Sequence, residues 1–244
     1  MSPFITSLSM ILYLKNIDIE GAGTLGDFFE KKGFESRIID LGLGEPLPDT
    51  DFSDIEALVV LGGPMNVYEE DKYPFLKQET AFIQRTLEKK IPFLGLCLGS
   101  QLLVKSAGEK VTRSPQKEIG FFPIELTDTG QDDPLFKGLP KTFDVFQWHE
   151  DMFQIPPQGH LLASSTACPH QAVRVGDNAY GLQFHVEITD ISIKEWCDEY
   201  IKEHTQNASM KDRMIKNYRN REESFRHVAE VLYRNFLEII QTKN

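Results

Sequence analysis

Cysteine is scarce in this sequence of 244 residues, with only Cys97, Cys168 and Cys197 present. An odd, widely spaced set excludes a disulfide framework, and no CxxC pair offers metal-site spacing. Such cysteine usage predicts a reducing, cytoplasmic setting. No apolar run is long enough to cross a bilayer. Residues 1–9 lack the basic start and long apolar centre of a secretory leader, and they read as a loose extension before the first strand-like run at Met10. Basic charge is also in short supply: 26 Lys and Arg face 37 Asp and Glu, for a net charge of −11. That balance argues against nucleic acid or an anionic membrane as the main partner, since both select basic patches. A GxxxxGK(S/T) phosphate loop is missing, which removes the usual sequence sign of an ATP-dependent synthetase. Linkers, internal repeats and low-complexity tracts are absent as well, so residues 1–244 are expected to form a single domain.

Apolar residues make up 41% of the chain, an ordinary share for a protein with a sizeable core. Met10–Leu14, Arg37–Leu41, Ala57–Leu61 and Pro92–Leu96 are short apolar runs of the kind that form buried parallel strands. Between them, Gly21–Lys32 and Phe75–Lys90 carry apolar residues at helical spacing. This alternation predicts a doubly wound, mostly parallel α/β sheet. Beyond about residue 110 the rhythm changes. Gly120–Leu126, Phe143–Phe146, Leu161–Ala163, Gln171–Val175 and Tyr180–Phe184 are strand-like with turns between them, which predicts an antiparallel extension. Residues 190–244 read as a helical tail with segments at about 190–203, 208–218 and 222–241.

The chemistry begins at Gly95-Leu-Cys-Leu-Gly99, which follows an apolar strand and precedes a helix-compatible run. This is the strand–nucleophile–helix elbow, with cysteine at its apex. A tight turn projects Cys97 into a cleft, and the helix N-terminus behind it favours the reactive thiolate. The amide N–H of Leu98 would point toward an oxyanion. Cys168 and Cys197 have no elbow or neighbouring base and read as structural.

Downstream, Gly181-Leu-Gln-Phe-His-Val-Glu187 ends a strand in His-x-Glu. Residues two apart in an extended segment share a side, so Glu187 can orient His185 while His185 exchanges a proton with Cys97.

Gly95-x-Cys97-x-Gly99-x-Gln101, the upstream Gly62-Gly63-Pro64 and the downstream Gln183-Phe184-His185-x-Glu187 together resemble the class I, or triad, glutamine amidotransferases. The similarity spans about residues 10–190 and points to the stand-alone subgroup that is similar to the amidotransferase domain of GMP synthase. It implies a flavodoxin-like fold and hydrolysis of glutamine through a γ-glutamyl thioester, with Cys97 as nucleophile, His185 as acid and base, and Glu187 as orienter. The Gly63 and Leu98 amides would form the oxyanion hole. Substrate contacts would come from Gln101, from the Gly62–Met65 loop, and from His149 and Asp151 in Gln147-Trp-His-Glu-Asp151. One departure is Val186, where many members carry proline; valine suits an extended backbone equally well.

No metal or organic cofactor is needed for this chemistry. The expected ligand is a small γ-glutamyl substrate, glutamine first, with a separate synthetase as the expected acceptor of ammonia. Two alternatives remain: a γ-glutamyl peptidase acting on glutathione-like compounds, and a binding subunit that is inactive alone.

Overall fold

A computed structural model describes residues 10–201 and 204–242; the extension expected at residues 1–9 lies outside the described residues. The chain alternates β1 (Met10–Lys15), α1 (Gly23–Lys31), β2 (Glu35–Asp40), β3 (Ile55–Val60), α2 (Phe75–Glu88), β4 (Phe93–Leu96) and α3 (Leu98–Ser106). It continues through β5 (Val111–Leu126), α4 (Asp128–Gln131), β6 (Thr142–Phe153), β7 (Gly159–Ser164), β8 (Ala172–Val175) and β9 (Ala179–Leu182). Helices α5 (Asp190–Tyr200) and α6 (His204–Thr242) complete it.

The strands form one sheet in the order β2-β1-β3-β4-β9-β8-β7-β5-β6. The five strands β2, β1, β3, β4 and β9 run parallel, and the pairs from β9 onward are antiparallel. The parallel half therefore has the flavodoxin-like order, and the later strands extend its far edge.

Alternate residues of β1 explain why the parallel strands read as unbroken apolar runs. Ile11 and Tyr13 face one core with Leu25 and Phe29 of α1 and Phe236 of α6. Leu12 and Leu14 face the other with Leu76 and Ile83 of α2 and Leu102 of α3. A strand buried on both faces has no polar side to show.

Two regions differ most from the sequence expectation. Strand β5 begins at Val111 rather than Gly120, and β6 runs on to Phe153. The added part of β5 is mostly exposed and polar, and Pro115 falls where the β5–β6 register shifts between Arg113 and Glu118. Backbone pairing with β6 builds this stretch, so its side chains carry no strand pattern, and the bulge accommodates the proline. The second difference is α6, a single helix where two segments were expected. Residues 219–221 are polar, but no Gly or Pro occurs from 204 to 242 to break the helix.

Among the described residues, no helix is long and apolar enough to cross a membrane.

Candidate active site

The carboxyl ends of the parallel strands converge on one cleft of about 740 Å³. Cys97 follows β4, the Gly62–Met65 loop follows β3, Glu20 lies beyond β1, and His185 lies beyond β9. Ligands of open α/β sheets bind at this end.

Cys97 has φ 47° and ψ −103°, a left-handed conformation that non-glycine residues rarely adopt. Strain of this kind, on the order of 1–3 kcal/mol, persists only where the surroundings impose it. Here they do. The Cys97 N–H donates to the Leu182 carbonyl at 2.8 Å, and the Cys97 carbonyl accepts from Ser100 N at 3.0 Å and Ser100 Oγ at 2.6 Å. The flanking glycines allow the close approach: a Cβ on Gly99 would overlap the Val60 carbonyl, and one on Gly95 would overlap the Gly99 backbone. The sulfur is held at the mouth of α3, 3.7 Å from Gln183 Nε2 and 3.8 Å from the Trp148 carbonyl oxygen.

His185 and Glu187 come together as their spacing predicts, with His185 Nδ1 2.6 Å from Glu187 Oε1. The second carboxylate oxygen accepts the Val186 N–H at 2.9 Å. Helix α6 and the start of α1 clamp this segment: Tyr233 Oη donates to the Val186 carbonyl at 3.1 Å, and Thr24 N donates to the Glu187 carbonyl at 2.9 Å. Burial alone would lower the His185 pKa, but Glu187 and the neighbouring Cys97 together hold it well above the ordinary value.

The other expected site residues divide into a front and a back. Gly63, Met65, Leu98, Gln101, His149 and Asp151 line the cleft with Cys97 and His185. Gly63 and Leu98 adjoin, since a Cβ on Gly63 would lie 3.0 Å from Leu98 Cδ2. Leu98 opens α3, so its N–H has no partner within the helix. Gly62 lies behind: a Cβ there would overlap Glu20 Oε2 and stand 3.1 Å from His185 Cε1. The Gln101 amide nitrogen donates to the Asp151 carbonyl at 3.4 Å and to Gln183 Oε1 at 3.2 Å. In His149, Nδ1 faces the Asp151 carbonyl at 3.0 Å, while Nε2 stands 3.2 Å from Glu118 Oε2 without an aligned hydrogen bond. The His149 ring thus braces the cleft wall. Asp151 Oδ2 accepts from Tyr68 Oη at 2.9 Å, and its Oδ1 accepts no hydrogen bond, with Arg113 Nη1 3.7 Å away.

Three residues near the cysteine and histidine escaped the sequence reading, Glu20, Trp196 and Tyr200, while Trp148 of the Gln147–Asp151 stretch lines the cleft as well. The Trp196 and His185 rings meet edge to face with centroids 4.7 Å apart. Tyr200 Oη donates to Glu20 Oε1 at 2.6 Å, and the buried Oε2 of Glu20 has no hydrogen-bond partner. Burial raises the Glu20 pKa, while His185 and the Tyr200 hydrogen bond oppose the rise. These are ordinary residue types brought in singly by tertiary contacts, and no local motif marks them. Gln183 had a signal, since the same-side spacing that joins His185 to Glu187 also includes it.

Among the described residues, one group has metal-type ligand atoms within 4.8 Å of one another: Glu118, His149 and Cys168. Its oxygen and sulfur atoms are already engaged. Glu118 accepts from Gln171 Nε2 at 2.8 Å and Ser165 Oγ at 3.2 Å, and the Cys168 thiol donates to the His170 carbonyl at 3.4 Å. Burial also pushes the Cys168 thiol up, away from the thiolate that a metal needs.

Residues 34–194 match the family model for glutamine amidotransferase class-I. A glutamine amidotransferase-like protein, YfeJ of Salmonella typhimurium, is 36% identical over 173 residues, covering 70% of this chain and 72% of that one. The glutamine-hydrolyzing GMP synthase of Thermosipho africanus is 41% identical over 138 residues, which is 56% of this chain but only 25% of the synthase. A crystal structure of a glutamine amidotransferase from Thermotoga maritima superimposes with a TM-score of 0.85 at 33% identity, covering 94% of this chain and 98% of that one.

Proposed function

This chain belongs to the class-I glutamine amidotransferases, and from that premise we propose that it hydrolyses the γ-glutamyl amide of glutamine through a Cys97 thioester. One observation carries the reading: a cysteine strained into a left-handed elbow shares a cleft with a histidine held 2.6 Å from a buried glutamate. Cys97 attacks the γ-carbonyl carbon, and the Gly63 and Leu98 amides receive the developing oxyanion. His185 gives its proton to the departing nitrogen as the C–N bond breaks. It then takes a proton from the water that opens the thioester, which releases glutamate and restores the thiolate. Glu187 keeps the ring in register throughout. Asp151 Oδ1, which accepts no hydrogen bond, suits the substrate's α-ammonium, and Arg113, 3.7 Å from it, suits the α-carboxylate.

Glutamate release from glutamine, by the wild type and by Cys97→Ala, tests this directly. Cys97-dependent release is the expected result; equal rates would overturn it. The similarity to a glutamine-hydrolyzing GMP synthase suggests an ammonia acceptor, which would be a separate protein, and co-purification with a glutamine-dependent rise in amidated product would identify one.

A second reading has its own support. At about 740 Å³ the cleft exceeds what a glutamine side chain fills. That room favours γ-glutamyl compounds with a larger leaving amine, as a γ-glutamyl peptidase would take. The ratio of kcat/KM for glutathione to that for glutamine decides between them.

A further inference from the structure

The amine that departs as the Cys97 thioester forms must first lie against His185, because His185 supplies its proton. The surroundings of His185 therefore select the leaving amine, and they have a distinct chemistry. Helix α5 carries Trp196, Glu199 and Tyr200 at spacings of three and four residues, so all three share a helix face, and all line the cleft. The Trp148 ring stands perpendicular to Trp196 (87°, centroids 6.1 Å) and steeply inclined to Tyr200 (62°, 5.8 Å). These rings make an aromatic corner that begins beside His185.

Two carboxylates accompany the corner. Glu199 lies at its open side. Glu20 lies at its floor, 5% exposed, with Oε2 unpartnered. Glu187 stands behind the histidine. Across the same cleft the Lys117 ammonium and the Arg113 guanidinium both pair with Glu150 at 2.5 Å, and Arg113 also lies 3.7 Å from Asp151, so these two cations face carboxylates of their own, away from the corner. Aromatic faces with nearby carboxylates attract a cation and repel an anion.

We propose that this aromatic and acidic corner, built from Trp148, Trp196, Tyr200, Glu20 and Glu199, binds a positively charged leaving amine. The preferred substrates would be γ-glutamyl amides of short alkyl diamines. The inference rests on the γ-glutamyl hydrolase reading and narrows its substrate class. The reaction balances as before: Sγ bonds to the γ-carbon, the C–N bond breaks, His185 protonates the departing nitrogen, and water then releases glutamate. The products are glutamate and a diamine whose far ammonium never changes its proton. The corner extends only one to two ring widths from His185, which suits a spacer of a few methylenes. Glutathione, whose leaving peptide ends in a carboxylate, is disfavoured by the same charges.

The test compares γ-glutamylputrescine with γ-glutamyl-n-pentylamide, which has the same length but a methyl in place of the ammonium. The wild type should show a kcat/KM at least about tenfold higher for the charged compound, the scale of one charged contact. Glu199→Gln, a change at a solvent-exposed side chain of that face, should cut that ratio several-fold. Equal kcat/KM values for the two compounds, with both hydrolysed in a Cys97-dependent way, would overturn the inference and leave the hydrolase reading intact. Should no γ-glutamyl compound be hydrolysed, the hydrolase reading itself falls. Calorimetry of putrescine against Cys97→Ala still decides the corner: saturable binding weakened by Glu199→Gln supports it, and no binding overturns it.

Discussion

His185 Nδ1 lies 2.6 Å from a Glu187 oxygen whose partner oxygen accepts the Val186 backbone N–H. A carboxylate only accepts, so Nδ1 carries the proton and Nε2 is left to face the cleft. Replacing Glu187 with Gln keeps the size but removes the charge that raises the His185 pKa, leaving burial, which lowers it. The expected outcome is a fall in kcat of about 10²–10⁴-fold with little change in KM. The alkaline limb of the pH–rate profile should also move to lower pH, because the imidazolium then loses its proton sooner. A profile that falls uniformly, with its limbs unmoved, would count against the orienting role.

The three buried thiols should differ sharply in reactivity. Burial pushes Cys197 up to about 11 and also raises Cys168, and neither lines the cleft. Cys97 lines it, at the elbow that opens α3 and in the same cleft as His185. Brief treatment of the folded protein with iodoacetamide near neutral pH should therefore modify Cys97 alone, with glutamine slowing the reaction. Peptide mapping gives the stoichiometry, and early labelling of Cys168 or Cys197 would contradict it.

How far the sequence could be read follows from where the information lies. Strands β1, β3 and β4 were legible because burial on both faces leaves continuous apolar runs. The Cys97 elbow and the His185-x-Glu187 pair were legible because each is a local pattern imposed by local geometry. The first part of β5 was not, since its order comes from backbone pairing with β6 and its side chains face solvent. Glu20 was not, because its place beside His185 depends on Tyr200, which is 180 positions away in the chain. Nor did the sequence reveal His149 as a brace, since both ring nitrogens face groups supplied by the folded β5–β6 pair.

Gly99 tests the tight seat of α3 on the sheet. A methyl there would run into the Val60 carbonyl in the middle of the parallel strands, where backbone cannot move aside. Gly99→Ala should lower stability by about 1–3 kcal/mol, the usual scale of overpacking, and lower activity as well by tilting the Cys97 elbow. Gly108→Ala is the control for backbone conformation alone, because Gly108 has φ 87° with open space where the methyl would go. Equal melting temperatures for Gly99→Ala and wild type would show that α3 does not depend on this contact.

Glu79 gives a prediction for pH and stability. It is fully buried in α2, and neither carboxyl oxygen has a hydrogen-bond partner. Burial pushes its pKa up to about 8, with the Asn16 side chain opposing the rise. In the unfolded chain the group titrates near its ordinary 4.5. Between those two values the folded protein keeps a proton that the unfolded chain has lost. Stability from this group is thus fully present below about pH 4.5 and declines by roughly 1 kcal/mol per pH unit until about pH 8. Glu79→Gln supplies a neutral group of the same size and removes the dependence. Melting temperatures of the two proteins should nearly coincide close to pH 5, and the variant should be clearly more stable at pH 8. A constant gap across that range would mean that Glu79 does not titrate within it, and a variant less stable at pH 8 would mean that the carboxylate itself supports the fold.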